Sequence, residues 1–200
     1  MTTLQLNTSL FGAGGQSTTL AAEFVARRGG KVIVRDLAKD PVPHLDAERF
    51  AAFLAKPEAR TAEQQAVVDY SDALIAELRE ADSIVIGLPM YNFSVPSTLR
   101  AYFDHVARVG VTFKYTDKGP VGLLTGKKAY VFVTRGGVYG DDHIRTRYVR
   151  DFLGFIGITD IEFVYAEGLA ISPASKDAAL AKAREVIARL TLKKPQFALT

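Results

Sequence analysis

Short apolar runs alternate with stretches of helical periodicity along the chain. The apolar runs are the predicted strands, and they cover Thr2–Asn7, Lys31–Arg35, Asp82–Leu88, Lys128–Thr134 and Asp160–Tyr165. The predicted helices place their apolar residues on one face, and they cover Ser17–Arg28, Ala47–Ala55, Glu63–Glu80, Pro96–Val109, Arg145–Ile156 and Ser175–Leu192. Regular alternation of this kind predicts an α/β fold with a doubly wound sheet of five parallel strands.

The length of the chain and the even run of elements indicate a single domain over residues 1–200. A chain of 200 residues falls within the range of one α/β domain, and no linker or internal repeat divides it. Five parallel strands fit the flavodoxin-like order 2-1-3-4-5. One connection, Gly110–Gly126, is long and rich in glycine, aromatic and charged residues. It is either a functional excursion or a surface hairpin.

Composition and charge exclude several classes of protein. The chain has no cysteine, which excludes disulfide frameworks, thiolate metal sites and cysteine-dependent phosphatases. It shows neither a signal peptide nor an apolar run of membrane-spanning length, so a cytoplasmic location and no membrane partner are expected. Basic and acidic residues are interspersed at a net charge of +3, which argues against a nucleic-acid partner. His44, His105 and His143 lack metal-ligand spacing, so no metal site is expected.

The loop after the first predicted strand, Ser9–Ser17, has the composition of a phosphate site. Its glycines let the backbone approach a ligand, and the following helix directs free N–H groups at it. The loop has no lysine, and a dinucleotide pattern that begins at Gly12 meets Ser17 where a third glycine or alanine belongs. The hydroxyls of Ser9 and Ser17 and the N–H groups of Gly15, Gln16 and Ser17 suit one terminal phosphate, as in flavin mononucleotide sites. Alternatively, Ser17 is only the N-cap of the helix.

Two more loops follow strands that end at the same edge of the predicted sheet. Residues 89–96 contain two aromatic side chains, an amide and a thioether between two prolines, a composition suited to a flat heteroaromatic ring. Two glycines, Gly136 and Gly137, follow the fourth strand and permit close contact between backbone N–H groups and a ligand. The side chain of Arg135 could bind a ligand or pair with an acidic neighbour such as Asp104 or Asp151.

Taken together, the motifs of these loops resemble the FMN-dependent NADH:quinone oxidoreductase and azoreductase family. The resemblance runs from about residue 4 to about residue 190, and it rests on Pro89-Met90-Tyr91-Asn92-Phe93-Ser94-Val95-Pro96, Tyr102-Phe103-Asp104, Gly110-Val111-Thr112-Phe113, Gly119-Pro120, Arg135-Gly136-Gly137 and Phe152-Leu153-Gly154-Phe155-Ile156-Gly157. It implies a flavodoxin-like FMN-binding domain, non-covalent FMN, NADH or NADPH as electron donor, and a homodimer with two active sites at its interface. The implied reaction is the two-electron reduction of quinones and azo compounds.

The resemblance also implies roles for individual residues. The FMN phosphate would be held by Ser9, Gly15, Gln16 and Ser17. The isoalloxazine ring would be bordered by Met90, Tyr91, Asn92 and Phe93, and its pyrimidine end would meet Thr134, Arg135, Gly136 and Gly137. The substrate pocket would include Tyr115, Tyr139 and Phe155. No side chain is expected to act as a catalytic acid or base, because the cofactor performs the hydride chemistry.

Two positions depart from the pattern of this family. Family members often have serine where this chain has Gly15, and many have histidine where it has Tyr139. The first departure leaves a backbone N–H to bind the phosphate, and the second removes a histidine from the pocket. The competing interpretations are a flavodoxin-like electron carrier without small-molecule turnover, and a related chromate or nitro reductase that differs in its acceptor.

Overall fold

The structure, a computed structural model, describes residues 1–140 and 144–192. Its strands are β1 (Thr2–Asn7), β2 (Lys31–Asp36), β3 (Ser83–Pro89), β4 (Phe113–Thr116), β5 (Gly119–Gly122), β6 (Lys128–Thr134) and β7 (Asp160–Ala166). Its helices are α1 (Gln16–Arg28), α2 (Ala47–Leu54), α3 (Ala62–Glu80), α4 (Ser97–Val106), α5 (Ile144–Phe155) and α6 (Pro173–Thr191). One of the three histidines, His143, and the end of the predicted single domain lie outside the described residues.

The central sheet has five strands in the order β2-β1-β3-β6-β7, and every pair of neighbours is parallel. The predicted α/β fold with a five-stranded parallel sheet is therefore confirmed. β3 lies in the middle of the sheet, and all seven of its residues are buried. This burial follows from its apolar sequence, because a central parallel strand is covered by helices on both faces.

Two hydrophobic clusters cover the two faces of the sheet. On one face, α1 and α6 pack through side chains such as Leu20, Phe24 and Ile187. The ring of Phe24 lies 4.5 Å from the ring of Tyr130 and 5.3 Å from the ring of Phe132. The larger cluster on the other face includes apolar residues of α3, α4 and α5. The helices thereby fix the position of the strand ends, where the candidate site lies.

The long connection Gly110–Gly126 contains a separate antiparallel hairpin formed by β4 and β5. Its base is fastened to the end of α5, because the N–H of Leu124 donates to the carbonyl of Ile156 at 2.8 Å. The structure shows that this segment contains a hairpin, and its functional role stays a prediction. Its first strand, β4, contains Tyr115, one of the predicted substrate residues.

Predicted and observed element boundaries differ by at most two residues, except at the end of α4. The prediction that this helix continues to Val109 is wrong, because it ends at Val106. The hydroxyl of Thr112 donates to the carbonyl of Val106 at 2.6 Å and accepts from the N–H of Arg108 at 2.9 Å. The side chain of Thr112 thus takes the place of helical partners and turns the chain towards the hairpin.

Candidate functional site

The loops that follow β1, β3 and β6 meet at the carboxyl edge of the sheet, as expected for a ligand site in an open α/β fold. The phenol hydroxyl of Tyr91, in the loop after β3, lies 3.2 Å from the hydroxyl oxygen of Ser9, in the loop after β1. The ring of Phe93 packs edge-on against the ring of Tyr139, with 6.4 Å between centroids. Side-chain contacts therefore join all three loops.

The loop after β1 ends at Gly15, which is the N-cap residue of α1 and provides no side-chain cap. The first N–H groups of α1, at Gln16, Ser17 and Thr18, have no partner within the helix because of helix geometry. The side chain of Ser9 is buried beside them. A Cβ atom on Gly15 would lie 2.1 Å from Oγ of Ser9 and 2.6 Å from its Cβ. Glycine at position 15 therefore leaves the room that the Ser9 side chain occupies.

The hydroxyl of Ser17 is fully buried and has no hydrogen-bond partner among the described residues. The interpretation of Ser17 as the N-cap of the helix is wrong, because α1 begins at Gln16 and its N-cap is Gly15. The hydroxyl of Thr18 is likewise buried without a partner there. Buried polar groups are normally hydrogen-bonded, so these two hydroxyls are candidate donors to a ligand bound at the start of α1.

The approach of α1 to the sheet depends on a second glycine. A Cβ atom on Gly87 of β3 would lie 3.0 Å from the backbone oxygen of Ser17. On the other side of the same residue, the hydroxyl of Thr8 donates to the carbonyl of Gly87 at 2.7 Å. The absence of a side chain at Gly87 lets α1 approach β3 closely, and the hydrogen bond from Thr8 holds the loop after β1 against the centre of the sheet.

A tight turn shapes the loop after β3. The backbones of Tyr91 and Ser94 bond to each other in both directions, at 3.3 and 2.9 Å. The two residues between them, Asn92 and Phe93, have φ values of 48° and 60°. Positive φ is unusual for phenylalanine and strains the backbone. The turn holds the ring of Phe93 outside the core, with 70% of its surface exposed. The N–H of Met90 donates to the carbonyl of Thr134 at 3.0 Å, which joins this loop to β6.

The side chain of Arg135 is buried and bound entirely within the protein. Its guanidinium donates to Glu167 at 2.8 Å, to the carbonyl of Gly140 at 2.8 Å and to the hydroxyl of Thr146 at 2.7 Å. The alternative that Arg135 pairs with an acidic neighbour is confirmed, but the acid is Glu167, directly after β7, and not Asp104 or Asp151. Its backbone N–H donates to the carbonyl of Ala166 at 3.0 Å. Both kinds of donor on Arg135 are therefore occupied by protein.

Glu167, which sequence reasoning missed, organises the loop after β6. Its carboxylate accepts from the guanidinium of Arg135 and also from the backbone N–H groups of Tyr139 and Gly140, at 3.0 and 3.4 Å. The carbonyls of Gly136 and Gly137 accept from the backbone of the segment after β7. The signal for Glu167 was its position directly after the fifth strand of the sheet, at the same edge as the other loops.

The remaining predicted substrate residues lie on the hairpin and on α5. The ring of Tyr115 is 5.6 Å from that of Phe113, and the ring of Phe155 is 4.2 Å from Phe113 on its other side. Tyr115 is largely exposed, whereas Phe155 is half-buried. Within one chain, these side chains contact one another rather than the three loops. Their role as a substrate pocket therefore stays a prediction.

An open cleft borders the loop after β1 and the loop after β3. It has a volume of about 380 Å³ and is lined by residues that include Leu10, Tyr91, Pro96 and Arg100. A volume of this order suits a small molecule. Among the residues that the structure describes, no group of acidic or histidine side chains could hold a metal ion, and no helix is long and apolar enough to cross a membrane.

Comparisons with known proteins assign the chain to a family. A family profile described as "Flavodoxin-like fold" matches residues 1–190. The FMN-dependent NADH:quinone oxidoreductase of Cellvibrio japonicus is 55% identical over 193 residues, which cover 93% of this chain and 96% of that protein. The FMN-dependent NADH:quinone oxidoreductase 6 of Burkholderia lata is 53% identical, with 94% of this chain and 98% of that protein covered.

Solved structures give the same assignment. The azoreductase of Bacillus anthracis Sterne superposes with a TM-score of 0.87 at 28% identity, covering 96% of this chain and 98% of that one. An FMN-dependent NADH-azoreductase of B. anthracis Ames Ancestor, solved in complex with FMN, gives a TM-score of 0.83 at 27% identity, covering 95% of this chain and 99% of that one.

The fold and the three joined loops define a flavodoxin-like α/β protein. The chain belongs to the family of flavodoxin-like proteins that contains the FMN-dependent NADH:quinone oxidoreductases, and the resemblance inferred from its motifs is confirmed.

Proposed function

We propose that this protein is an FMN-dependent NAD(P)H:quinone oxidoreductase that also reduces azo compounds. The observation that carries the proposal is the buried hydroxyl of Ser17 at the start of α1, which has no hydrogen-bond partner among the described residues, together with the buried hydroxyl of Ser9 against Gly15, the N-cap of that helix. The names of the most similar relatives and of the structural neighbours agree with this activity. With the two hairpin strands left out, the sheet order reads 2-1-3-4-5, the flavodoxin-like arrangement, which supports the same assignment.

The residues of the first loop fit a single terminal phosphate. The hydroxyls of Ser9 and Ser17 and the backbone N–H groups of Gly15, Gln16 and Ser17 supply neutral donors, and the positive end of the α1 dipole favours an anion. Of these N–H groups, that of Gly15 donates to the carbonyl of Gly12 at 3.1 Å. The donors left for a phosphate are therefore the N–H groups of Gln16 and Ser17, the hydroxyl of Ser17, and the hydroxyl of Ser9 in the arrangement where Tyr91 donates to it.

The loops after β3 and β6 would hold the isoalloxazine ring. Met90, Tyr91, Asn92 and Phe93 would border it, and the backbone of Thr134–Gly137 would meet its pyrimidine end. Within that segment, Gly136 and Gly137 are the donors, because the backbone and side-chain donors of Arg135 are bound to protein. FMN, when bound, supplies the two-electron chemistry between a nicotinamide and an acceptor. The protein orients the ring and the substrates and excludes water.

We also propose that the protein works as a homodimer whose interface completes the site. Large apolar side chains stay exposed around the three loops and on the hairpin, including Phe11, Phe93, Tyr115 and Val138. Exposed apolar surface beside a candidate ligand site is a feature of protein interaction sites. A second copy of the chain would cover it and would bring Tyr115, Tyr139 and Phe155 into a shared pocket for flat acceptors.

The kinetic scheme that we propose is ping-pong. A single cleft would admit the nicotinamide first and the acceptor afterwards, so the first product has to leave before the second substrate enters. Initial rates measured at several fixed quinone concentrations should give parallel lines in double-reciprocal plots. Intersecting lines would show simultaneous binding and would contradict a shared cleft.

The activity is tested by stripping the purified protein and reconstituting it separately with FMN, FAD and riboflavin. We expect FMN to bind, and we expect anaerobic NADH to bleach the visible absorption band, which a quinone then restores. Tight binding of FAD, or no flavin binding, would refute the proposal. Bleaching by NADH without restoration by quinones or azo compounds would indicate an electron carrier instead.

A further inference from the structure

The hydroxyl of Tyr91 lies at the phosphate loop, although the side chain belongs to the loop that would border the flavin ring. Its oxygen is 3.2 Å from Oγ of Ser9 and accepts from the backbone N–H of Leu10 at 3.1 Å. Its ring packs edge-on against the ring of Phe11, with 6.5 Å between centroids. Tyr91 therefore contacts three consecutive residues of the loop after β1.

Hydrogen-bond counting around Ser9 leaves two arrangements for its contact with Tyr91. The N–H of Phe11 donates to Oγ of Ser9 at 3.2 Å, which occupies one of its two lone pairs. The N–H of Leu10 can only donate, so the phenol oxygen of Tyr91 accepts there. If the phenol hydrogen is donated to the second lone pair of Ser9, the hydroxyl hydrogen of Ser9 is left to point away from the loop. If Ser9 donates to Tyr91 instead, the hydroxyl hydrogen of Ser9 is not available to a ligand.

We propose that Tyr91 is a positioning residue that turns the hydroxyl of Ser9 into a donor for the phosphate of FMN. A phosphate offers only acceptor oxygens, so it selects the arrangement in which Tyr91 donates to Ser9 and Ser9 donates to the phosphate. Ser9 lies directly against Gly15, beside the start of α1, where a phosphate would gain from the free helix N–H groups. Tyr91 thereby links phosphate binding to the loop that would border the ring.

This inference rests on the proposed function and goes beyond it, because it assigns the hydroxyl of Tyr91 to the phosphate and not to the flavin ring. The two roles differ in the ligand that they affect. A hydroxyl that acts through Ser9 contributes to the binding of FMN, which has the phosphate, and contributes nothing to riboflavin, which lacks it. A hydroxyl that touched the ring would contribute equally to both ligands.

The test measures dissociation constants of FMN and riboflavin by flavin fluorescence for the wild type, Tyr91→Phe, Ser9→Ala and the double variant. We expect Tyr91→Phe to weaken FMN about tenfold and to change riboflavin by less than about twofold. In the Ser9→Ala background, Tyr91→Phe should have little further effect, because the residue through which it acts is gone. Tyr130→Phe is the matched control, because it removes a phenol hydroxyl of β6 that is bonded at 2.6 Å to Arg28, the last residue of α1.

The outcomes separate the two proposals. Equal weakening of FMN and riboflavin by Tyr91→Phe would overturn the assignment to the phosphate. An undiminished effect in the Ser9→Ala background would show that Tyr91 merely supports the loop through Leu10, and would overturn it as well. If Tyr91→Phe and the wild type bind FMN equally well, this inference alone is refuted. If the wild type binds no FMN, the proposed function is refuted too.

Discussion

Replacement of Ser17 by alanine should change ligand affinity and protein stability in opposite directions. In the ligand-free protein, the buried hydroxyl of Ser17 has no partner among the described residues, and a buried unsatisfied group costs roughly 1–3 kcal/mol. Alanine removes that group and is also a better helix former. We therefore expect Ser17→Ala to raise the free energy of unfolding of the apoprotein by about 1 kcal/mol, which corresponds to a melting temperature higher by roughly 2–4 °C.

The effect on FMN follows from the same atom. A hydrogen bond to a charged phosphate is worth roughly 1.5–3 kcal/mol, so its loss should weaken FMN binding about ten- to a hundredfold. Thermal unfolding of the stripped protein and fluorescence titration with FMN measure the two quantities. Ser71→Ala is the matched control: this serine is equally buried, but its hydroxyl donates to the carbonyl of His105 at 2.7 Å and accepts from Arg108 at 2.9 Å.

Ser71→Ala should instead destabilise the apoprotein by roughly 1–2 kcal/mol, because it removes two satisfied hydrogen bonds. It should leave FMN affinity unchanged. If Ser17→Ala lowered apoprotein stability while FMN affinity stayed the same, Ser17 would be a structural residue of the helix. That result would remove the main support for a phosphate site at the start of α1.

Three further predictions concern other parts of the molecule. Glu167→Gln should lower the free energy of unfolding by roughly 3 kcal/mol in urea denaturation, because it weakens the buried pair with Arg135; an unchanged midpoint would contradict a role in holding the loop after β6. Burial lowers the pKa of His105, so the unfolded chain takes up a proton at a higher pH than the folded chain does. The free energy of unfolding should therefore decline below about pH 6.5, by at most ~1.4 kcal/mol per pH unit. His105→Phe retains an aromatic ring between Phe53 and Tyr70, and it should remove the contribution of His105 to this pH dependence. Phe155→Ala should raise the KM for quinones more than it changes FMN affinity; equal effects on both would place Phe155 in general support of the hairpin.

The sheet could be predicted from the sequence because its strands are specified locally. The apolar run before Pro89 is long enough for one buried strand, and the structure buries all of β3. The end of α4 could not be predicted in the same way. Its last turn is replaced by bonds from Thr112, a residue six positions beyond the end of the helix. Hydrogen bonds from a residue beyond the end of a helix do not change the spacing of apolar residues within it, so the sequence pattern does not reveal them.

The partner of Arg135 was equally beyond a reading of the sequence. Asp104, Asp151 and Glu167 have the same charge, and separation along the chain does not select among them, because Glu167, the most distant of the three, is the one that reaches Arg135. The choice is made by the sheet, since β6 and β7 pair in register from Lys128 with Asp160 to Thr134 with Ala166. The next residue on each strand is then Arg135 and Glu167. Register, which depends on the whole fold, decides which acid is the neighbour.

The role of Ser17 depended on a boundary that sequence patterns locate only to within a few residues. If α1 had begun one residue after Ser17, the hydroxyl would have capped it and would have been satisfied without a ligand. Because α1 begins at Gln16, the hydroxyl lies inside the first turn, buried and without a hydrogen-bond partner among the described residues. The position of the helix start therefore decides whether this serine can be an N-cap, and the structure excludes that role. Its role as a donor to an anion stays a prediction that Ser17→Ala tests.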